Sequence, residues 1–353
     1  MSSSSIERLR VVVATPLSRV HRRMIEAAEP RVELVCEQEL LPPMRHAADF
    51  AGDPSFRRTF VQQKRFDALI DTADVLYGIP DVNPAALKRT VESNPKLRWV
   101  HIMAAGGGGQ VAAANLSERE LSRVLFTTSA GVHGDPLAEW AVFGVLAGAK
   151  SLPRLMAQQR EHHWSGRWTM GQVGEQTVLV VGLGGIGRKV VEKLSALGAT
   201  VIATSRSLTE APGVSEIVAP ADIAAVAGRV DAVVATLPGT TATEGLLGRA
   251  FFAAIKPGAT VVNVGRGTVI DEEELLSALR DGRVGFAALD VFATEPLDEA
   301  SPFWDQPNVL ISPHTAALSE AEDRLIAQLF VENASRFLDG RELLNRVDTV
   351  EFY

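Results

Sequence analysis

The sequence predicts an α/β protein with two doubly wound, Rossmann-like parallel sheets. Its 353 residues are too many for one ordinary hydrophobic core and fit two domains. Short apolar runs without polar alternation, which are typical of strands buried on both faces, alternate with stretches of helical periodicity. The runs form two sets, one in about the first third of the chain and one that begins near residue 178. This alternation predicts parallel strands joined by helical crossovers.

The strands and helices are predicted from these runs in chain order. Strands are expected at Arg10–Ala14, Val75–Tyr77, Trp99–Met103, Val178–Gly182, Thr200–Thr204, Ala232–Leu237, Thr260–Val264, Ala287–Val291 and Val309–Ser312. Helices are expected at Ile186–Leu197 and Asp271–Arg280. One long helix is expected over Asp135–Gln159, because Asp135 can cap it and Pro136 suits its first turn.

A second long helix is predicted near the end of the chain. It runs to Phe337 and begins with the capping-box pattern Ser319-x-x-Glu322. The two long helices flank the second strand set, which indicates that one domain is inserted into another. The sequence therefore predicts a Rossmann domain over residues 129–317, inserted into a flavodoxin-like domain of residues 1–128 and 318–353.

The composition narrows the class of protein. Hydrophobic residues make up 46% of the chain and charged residues 22%, as in globular proteins. The net charge of −8 argues against nucleic acid or an anionic membrane as a main partner. The N-terminal residues lack a signal-peptide pattern, and no apolar run reaches the roughly 18 residues that a membrane span needs. We therefore expect a cytoplasmic protein.

The single cysteine, Cys36, and the other potential ligands predict no metal site. One cysteine allows no internal disulfide, which fits a reducing compartment. Cys36 ends a strand-like apolar stretch, so we expect a buried and unreactive thiol. No group of His, Cys, Asp or Glu has the spacing of metal ligands.

A glycine pattern at Gly182–Gly187 predicts a dinucleotide site. It stands between an apolar strand and a helix, which is a far more specific context than the pattern alone. Gly182 permits the tight turn, Gly184 lets the backbone approach a pyrophosphate, and Gly187 lets the helix pack on the strand. Gly185 and Ile186 complete the turn, where helix N–H groups can hold phosphates. The alternative is a glycine-rich turn without a ligand.

The next strand predicts which nicotinamide cofactor is bound. It ends in Ser205, Arg206 and Ser207, without the Asp or Glu that usually bonds the ribose 2′-hydroxyl of NAD. Arg can pair with a 2′-phosphate and the serines can donate to it. The pattern therefore favours NADP(H). The alternative is a solvated Arg beside a permissive NAD(H) site.

Three further strand ends carry the residue types that hydride transfer to a keto acid needs. Arg266 follows one buried strand, Asp290 and Glu295 lie at and after the end of the next, and His314 follows a third. A cation can hold a carboxylate, an acid can protonate the developing alkoxide, and a carboxylate can keep that acid charged. We therefore expect Arg266, Glu295 and His314 to be catalytic. Each alone also has a structural interpretation, such as a surface His or a turn-forming Glu.

At this point the sequence resembles the D-2-hydroxyacid dehydrogenase family, and most closely its NADPH-dependent glyoxylate/hydroxypyruvate reductase-like branch. The matching segments are the glycine fingerprint, Thr236-Leu237-Pro238-Gly239-Thr240 with Thr243, Lys256-Pro257-Gly258, Asn263-Val264-Gly265-Arg266-Gly267, Asp290-Val291-Phe292 with Glu295-Pro296-Leu297, and Ser312-Pro313-His314. They run almost without a gap from about residue 128 to residue 317. The first third of the chain matches more diffusely.

The resemblance implies a role for each matching residue. His314 would be the general acid, Glu295 its partner, and Arg266 the residue that binds the substrate carboxylate and carbonyl. Asp290 would contact the nicotinamide carboxamide. The remaining cofactor contacts would come from Leu237, Pro238, Thr243 and Val264, beside Arg266 and His314 themselves.

The resemblance also implies a substrate loop in the first domain. Ala105, Gly106 and Gly107 follow a predicted strand, and in the family backbone N–H groups of such a loop hold the substrate carboxylate. Four consecutive glycines depart from the commoner family pattern, and a loop without a ligand is the alternative. The cluster of His162, His163, Trp164 and Trp168 could line the pocket rim or a subunit contact.

These observations predict an NADP(H)-preferring 2-keto acid reductase. It would reduce a short 2-keto acid such as glyoxylate or hydroxypyruvate to the D-2-hydroxy acid, and the resemblance suggests a homodimer. A formate dehydrogenase would pair its His with Gln, so Glu295 argues against one. A phosphoglycerate dehydrogenase with regulatory domains would be expected to be longer. A nucleotide-sensing binding protein of the corepressor type, without required turnover, remains the alternative.

Overall fold

The computed structural model describes residues 8–206, 210–350 and 352. The chain folds into two compact units. The first unit comprises the described residues of Met1–His133 and Leu318–Tyr353, and the second comprises those of Gly134–Ala317. In the described residues no helix is long and apolar enough to cross a membrane.

The first unit is built on a five-stranded parallel sheet. Its strands are β1 (Leu9–Val13), β2 (Val32–Val35), β3 (Val75–Tyr77), β4 (Trp99–Ile102) and β5 (Leu125–Thr128). They are arranged in the order β2-β1-β3-β4-β5, which is the flavodoxin-like order. The helices are α1 (Arg19–Ala28), α2 (Phe60–Ile70), α3 (Pro84–Ser93), α4 (Gly108–Ala113), α5 (Glu118–Arg123) and the C-terminal α12 (Glu322–Leu338).

The core of this unit includes an aromatic layer formed by the sheet and α12. Trp99 of β4 stacks on Phe330 of α12 with ring centroids 5.1 Å apart. His101, also on β4, is fully buried beside them, and its Nδ1 lies 2.9 Å from the Thr127 hydroxyl. Burial lowers the pKa of His101 from its ordinary 6.5 to about 3, because the apolar surroundings disfavour the charged ring.

The second unit is built on a seven-stranded parallel sheet. Its strands are β6 (Thr177–Val181), β7 (Thr200–Thr204), β8 (Glu216–Val218), β9 (Ala232–Ala235), β10 (Ala259–Asn263), β11 (Val284–Leu289) and β12 (Val309–Ile311). Their order is β12-β11-β10-β9-β6-β7-β8, so the direction of winding reverses between β6 and β9. Ligands of doubly wound folds bind at the carboxyl ends of strands beside such a reversal.

Helices cover this sheet, and short 3₁₀ turns join several elements. The helices are α6 (Gly134–Ala149), α7 (Leu152–Arg160), α8 (Gly185–Ala196), α9 (Ile223–Ala227), α10 (Arg249–Ala254) and α11 (Glu272–Arg280). The 3₁₀ turns of both units are Gln38–Leu40, Pro80–Val82, Val173–Glu175, Pro220–Asp222 and Gly267–Val269. The predicted fold class, with two doubly wound parallel sheets, is confirmed.

The prediction of one long helix over Asp135–Gln159 is wrong. The chain forms α6 and α7 instead, and Ser151 between them has left-handed backbone angles of φ 54° and ψ 46°. Pro153 has no N–H, so it cannot donate to the carbonyl of Ala149 as a continuous helix would require. That carbonyl accepts from the N–H of Gly171 at 2.9 Å. The break is therefore stabilised by a distant part of the chain.

The predicted capping box at Ser319 and Glu322 is also wrong. Helix α12 begins at Glu322, and its N-cap, Ala321, offers no side-chain hydrogen bond. The Glu322 carboxylate is buried and lies 2.8 Å from Nε2 of His133. Because the carboxylate binds this imidazole, it does not reach back to the helix terminus.

Three observed strands go beyond the predicted set. The sequence indicates β2 only as a strand-like stretch, and it does not predict β5 or β8. Cys36 follows β2 and is half-buried rather than buried, and burial raises the pKa of its thiol.

Candidate active site

The three predicted catalytic residues lie after neighbouring strands of the second unit. Strands β10, β11 and β12 pair in parallel, so their carboxyl ends lie side by side. Arg266 follows β10, Glu295 is in the loop after β11, and His314 comes three residues after β12. All three line one pocket of about 340 Å³. The other lining residues are Gly239, Gly267, Thr268, Phe292 and Ala293.

His314 and Glu295 form a hydrogen-bonded pair at this pocket. Nδ1 of His314 lies 2.7 Å from Oε2 of Glu295, and Oε1 of Glu295 accepts from the N–H of Phe292 at 3.0 Å. Both carboxylate oxygens are therefore engaged. The contact at Nδ1 leaves Nε2 as the ring nitrogen for other chemistry.

The Glu295 carboxyl is electrostatically biased toward its charged form. Burial raises its pKa, but the hydrogen bonds from His314 and the Phe292 N–H and the attraction of His314 and Arg266 outweigh this effect. The net pKa lies below the ordinary value of 4.5. A carboxylate held charged in this way stabilises an imidazolium beside it.

The loop that carries Arg266 is fixed by its own residues and by close backbone packing. Asn263, buried at the end of β10, accepts from the N–H of Gly265 and donates to the carbonyl of Arg266, both at 3.0 Å. A Cβ at Gly265 would overlap the carbonyl of Leu237. A Cβ at Gly267 would overlap the backbone after β11 at Phe292. Glycine at both positions lets this loop lie directly against its two neighbours.

Asp290 is a buried acceptor at the end of β11. Its side chain is 1% exposed, and Oδ1 accepts from the hydroxyl of Ser312 at 2.6 Å. The same oxygen accepts from the N–H groups of Thr315 and Ala316, each at 3.0 Å. Oδ2 is buried and has no hydrogen-bond partner within the described ranges. That oxygen is thus the unused acceptor of this carboxylate.

The glycine turn after β6 has the geometry of a phosphate-binding turn. Gly182 has φ +106°, and a Cβ at Gly187 would overlap its carbonyl oxygen, so helix α8 packs directly on the strand end. Gly184 is the N-cap of α8 and supplies no side-chain bond, while Gly185 and Ile186 form the first turn. A Cβ on Gly184 or Gly185 would meet nothing within 4 Å. Both residues are exposed, so the first turn of α8 is accessible to an anion.

The turn after β7 contains the predicted 2′-phosphate contacts. Thr204, the last residue of β7, is buried and its hydroxyl accepts from the N–H of Gly182 at 3.0 Å. Ser205 is half-buried and Arg206 is exposed. Ser207 lies outside the described residues.

The loop after β9 is held by a threonine. The Thr243 hydroxyl lies 2.9 Å from the N–H of Thr240 and donates to the carbonyl of Pro238 at 2.7 Å. Leu237 is half-buried, and Val264 on the adjoining β10 loop is 3% exposed. The side chain of Thr243 therefore shapes its own loop, which packs beside the loop of Arg266.

The predicted substrate loop belongs to the first unit. Ala105 and Gly106 are exposed, and Gly107 is buried as the N-cap of α4. A Cβ at Gly107 would lie 2.5 Å from Cγ2 of Ile102. Arg266, Glu295 and His314 all belong to the second unit.

Several residues that shape the site were missed by sequence reasoning. Asn263 and Ser312 stand within the matching motifs, but the motifs alone assign them no role. Each is a polar residue at or just after the end of an apolar strand, and that position is the signal that could have identified it. The N–H of Phe292 leaves no such signal, because any residue could supply it.

The chain is similar to known proteins both in its sequence and in its fold. The family model for "D-isomer specific 2-hydroxyacid dehydrogenase, NAD binding domain" matches residues 142–316. Glyoxylate/hydroxypyruvate reductase A of Yersinia enterocolitica is 32% identical over 220 residues, which cover 62% of this chain and 68% of the relative. The Serratia proteamaculans protein of the same name is 34% identical over 57% of this chain and 64% of its own length.

Other relatives share a smaller part of their length. D-3-phosphoglycerate dehydrogenase of Mycobacterium tuberculosis is 36% identical over 53% of this chain, but the chain spans only 36% of that relative.

Two solved structures resemble nearly the whole chain. A D-isomer specific 2-hydroxyacid dehydrogenase from Xanthobacter autotrophicus Py2, in complex with NADPH and MES, has a TM-score of 0.76 and 28% identity over 98% of this chain and 100% of its own. An NADPH-dependent glyoxylate/hydroxypyruvate reductase from Sinorhizobium meliloti, in complex with NADP and sulfate, has a TM-score of 0.74 and 27% identity with the same coverage.

Proposed function

This chain belongs to the D-isomer specific 2-hydroxyacid dehydrogenase family, and from that premise we propose that it reduces a small 2-keto acid to a D-2-hydroxy acid with NADPH. The observation that carries the proposal is the pocket that Arg266, Glu295 and His314 line together. A cation, an imidazole and its carboxylate partner are the groups that this reduction requires.

The residues present fit a nicotinamide dinucleotide. Gly182, Gly184, Gly185, Ile186 and Gly187 would hold the pyrophosphate with backbone N–H groups and the N-terminus of α8. The buried Oδ2 of Asp290, which has no partner among the described residues, would accept a hydrogen bond from the carboxamide. When bound, the dinucleotide supplies the hydride that reduces the substrate carbonyl carbon.

The remaining cofactor contacts follow from the neighbouring loops. The backbones of Leu237 and Pro238, shaped by Thr243, and Val264 would line the dinucleotide beside the pyrophosphate turn.

His314 and Glu295 would deliver the proton. The carbonyl oxygen of the substrate gains negative charge as its carbon accepts hydride, and the imidazolium donates a proton from Nε2 to that oxygen. Glu295 keeps the ring oriented and stabilises its positive charge through the 2.7 Å contact at Nδ1. In the oxidative direction the neutral ring would take the same proton back.

Arg266 would bind the substrate. Its guanidinium can pair with the carboxylate of a 2-keto acid and polarise the adjacent carbonyl. Asn263 and the two flanking glycines fix the loop, so the charge is presented from a rigid support.

The preference for NADP(H) rests on the turn after β7. That turn has Ser205 and Arg206 where a carboxylate would repel a 2′-phosphate, and Ser207 would add a further donor. The similar structures in complex with NADPH and NADP support the preference. NAD(H) remains the alternative cofactor.

The substrate class and the roles of the units follow from similarity. The relatives named glyoxylate/hydroxypyruvate reductase support a short 2-keto acid of that kind. We assign dinucleotide binding to residues 129–317 and substrate binding to the remainder, in which backbone N–H groups of Ala105, Gly106 and Gly107 would hold the substrate carboxylate.

A homodimer is the expected assembly. Helices α6 and α7 and the segment after them expose large apolar side chains, namely Phe143 at 45%, Met156 at 45% and Trp164 at 98%. Apolar side chains of this size would be covered in a subunit interface. The cytoplasmic location stays a prediction from the sequence.

A steady-state screen tests the proposed function. Purified protein is mixed with NADPH or NADH and a panel of 2-keto acids, and consumption of the reduced cofactor is followed in the near ultraviolet. We expect turnover with glyoxylate or hydroxypyruvate and a higher kcat/KM for NADPH than for NADH. Tight binding of NADPH with no turnover of any keto acid on the panel would contradict the proposed reductase activity and indicate a nucleotide sensor of the corepressor type.

A further inference from the structure

We propose that Ser312 and Asp290 are positioning residues that hold the loop of His314 in the conformation that catalysis needs. The proposal rests on the proposed role of His314 as the acid. It gives Asp290 a second task beside the cofactor contact and gives Ser312 a task in the reaction.

The first step of the argument is the number of bonds that converge on Asp290. The segment after β12 donates to it four times. The hydroxyl of Ser312 and the N–H groups of Thr315 and Ala316 donate to Oδ1, at 2.6, 3.0 and 3.0 Å. The N–H of His314 donates to the backbone carbonyl of Asp290 at 2.9 Å. The single residue that directly follows β11 thus anchors the whole turn.

The second step is the backbone conformation of the turn. His314 has φ +52°, in the left-handed region that residues with a Cβ seldom occupy. Such a conformation persists only where the surroundings over-determine it. The bonds to Asp290 come from both sides of His314, so they supply that restraint.

The third step is the place of the Ser312 hydroxyl. Ser312 is 8% exposed and does not line the pocket that contains His314. Its bond is the shortest of the three to Oδ1, and it fixes the rotation of the Asp290 carboxylate. With the carboxylate fixed, Oδ1 faces the turn and the buried Oδ2 is left for the ligand. Ser312 therefore acts on His314 through Asp290 and does not touch the substrate.

The consequence is a defined ring position. Nδ1 of His314 reaches Glu295 at 2.7 Å only while the turn keeps its shape. Without the hydroxyl of Ser312 the carboxylate can rotate, the turn loses restraint, and the ring spends less time against Glu295.

The experiment compares Ser312→Ala with Ser312→Thr and with a matched control, Ser335→Ala. Ser335 donates to Oε2 of Glu29 at 2.6 Å, so its replacement removes a hydroxyl–carboxylate bond of the same length, in the first unit. We expect Ser312→Ala to lower kcat about 10- to 100-fold with a much smaller change in KM, as for a displaced catalytic group. Ser312→Thr, which keeps the hydroxyl, should restore kcat to within about threefold of wild type. Ser335→Ala should leave kcat unchanged.

A second readout is independent of turnover. In protein labelled with ¹⁵N-histidine, the ring N–H between His314 and Glu295 gives a resonance that His314→Gln removes and thereby assigns. We expect Ser312→Ala to shift or broaden it, and Ser335→Ala to leave it in place. An unaltered resonance in Ser312→Ala overturns the proposal whatever the rate. If the wild-type protein reduces no keto acid, the proposed function fails, and this resonance alone decides whether Ser312 positions the ring.

Discussion

The buried imidazole of His101 should make the first unit sensitive to mild acid. In the folded protein its pKa is about 3, whereas in the unfolded chain it returns to the ordinary 6.5. As the pH falls below 6.5 the unfolded chain takes up a proton that the folded protein does not, so the free energy of unfolding decreases. Between about pH 7 and about pH 5 this single group should cost about 2 kcal/mol of stability.

The test is a double comparison with His101→Gln, which keeps a polar side chain beside Thr127 and Ser129 but cannot titrate. Urea unfolding at both pH values is followed by pulse-labelling hydrogen exchange of peptides over β4 and β5, which reports on this unit. Between the two pH values, the free energy of unfolding of the wild-type protein should fall by about 2 kcal/mol more than that of the variant. The lower pH is chosen so that Glu29 and Asp49, whose ion-paired carboxyls have pKa values of about 2, stay charged in the native state. Equal losses in the two proteins would refute the reasoning.

The other predictions concern the candidate site. His314→Gln should lower kcat about 100-fold or more, with NADPH affinity by fluorescence titration little changed; a rate within a few-fold of wild type would contradict the acid assignment. Arg206→Ala should raise KM for NADPH about tenfold or more and KM for NADH hardly at all, and equal changes would remove the 2′-phosphate argument. Gly267→Ala, whose Cβ would overlap the backbone at Phe292, should lower the melting temperature and kcat together.

The sequence predicted the features that depend on local spacing or on strand order. The turn from Gly182 to Gly187 needs only a strand, three glycines and a helix in succession, and each can be recognised from nearby residues. The pairing of Glu295 with His314 could be expected because parallel strands end at the same edge of a sheet. These are the features in which short-range pattern and fold agree.

Most of the features that the sequence did not predict depend on distant partners or on backbone groups. Helix α6 ends at Ala149, where the missing N–H of Pro153 breaks the helix, and this local signal was overlooked. The bond from Gly171 that satisfies the freed carbonyl of Ala149 gives no sign in the helix pattern. The capping box fails because Glu322 binds His133, which lies 189 residues earlier in the chain. The N–H of Phe292 donates to the carboxylate of Glu295, three residues later, but nearly every residue type has a backbone N–H, so the sequence gives no signal for this bond.

The two glycines beside Arg266, Gly265 and Gly267, limit where the substrate pocket can be redesigned. Main chain lies against main chain on both sides of that arginine. A side chain added at Gly265 would push the Arg266 loop away from the backbone of Leu237, and one added at Gly267 would push it away from the backbone of Phe292. Thr268 and Ala293 line the same pocket, and their replacement would alter its width while those loops keep their spacing. Substrate selectivity can thus be engineered at Thr268 and Ala293, while positions 265 and 267 have to remain glycine.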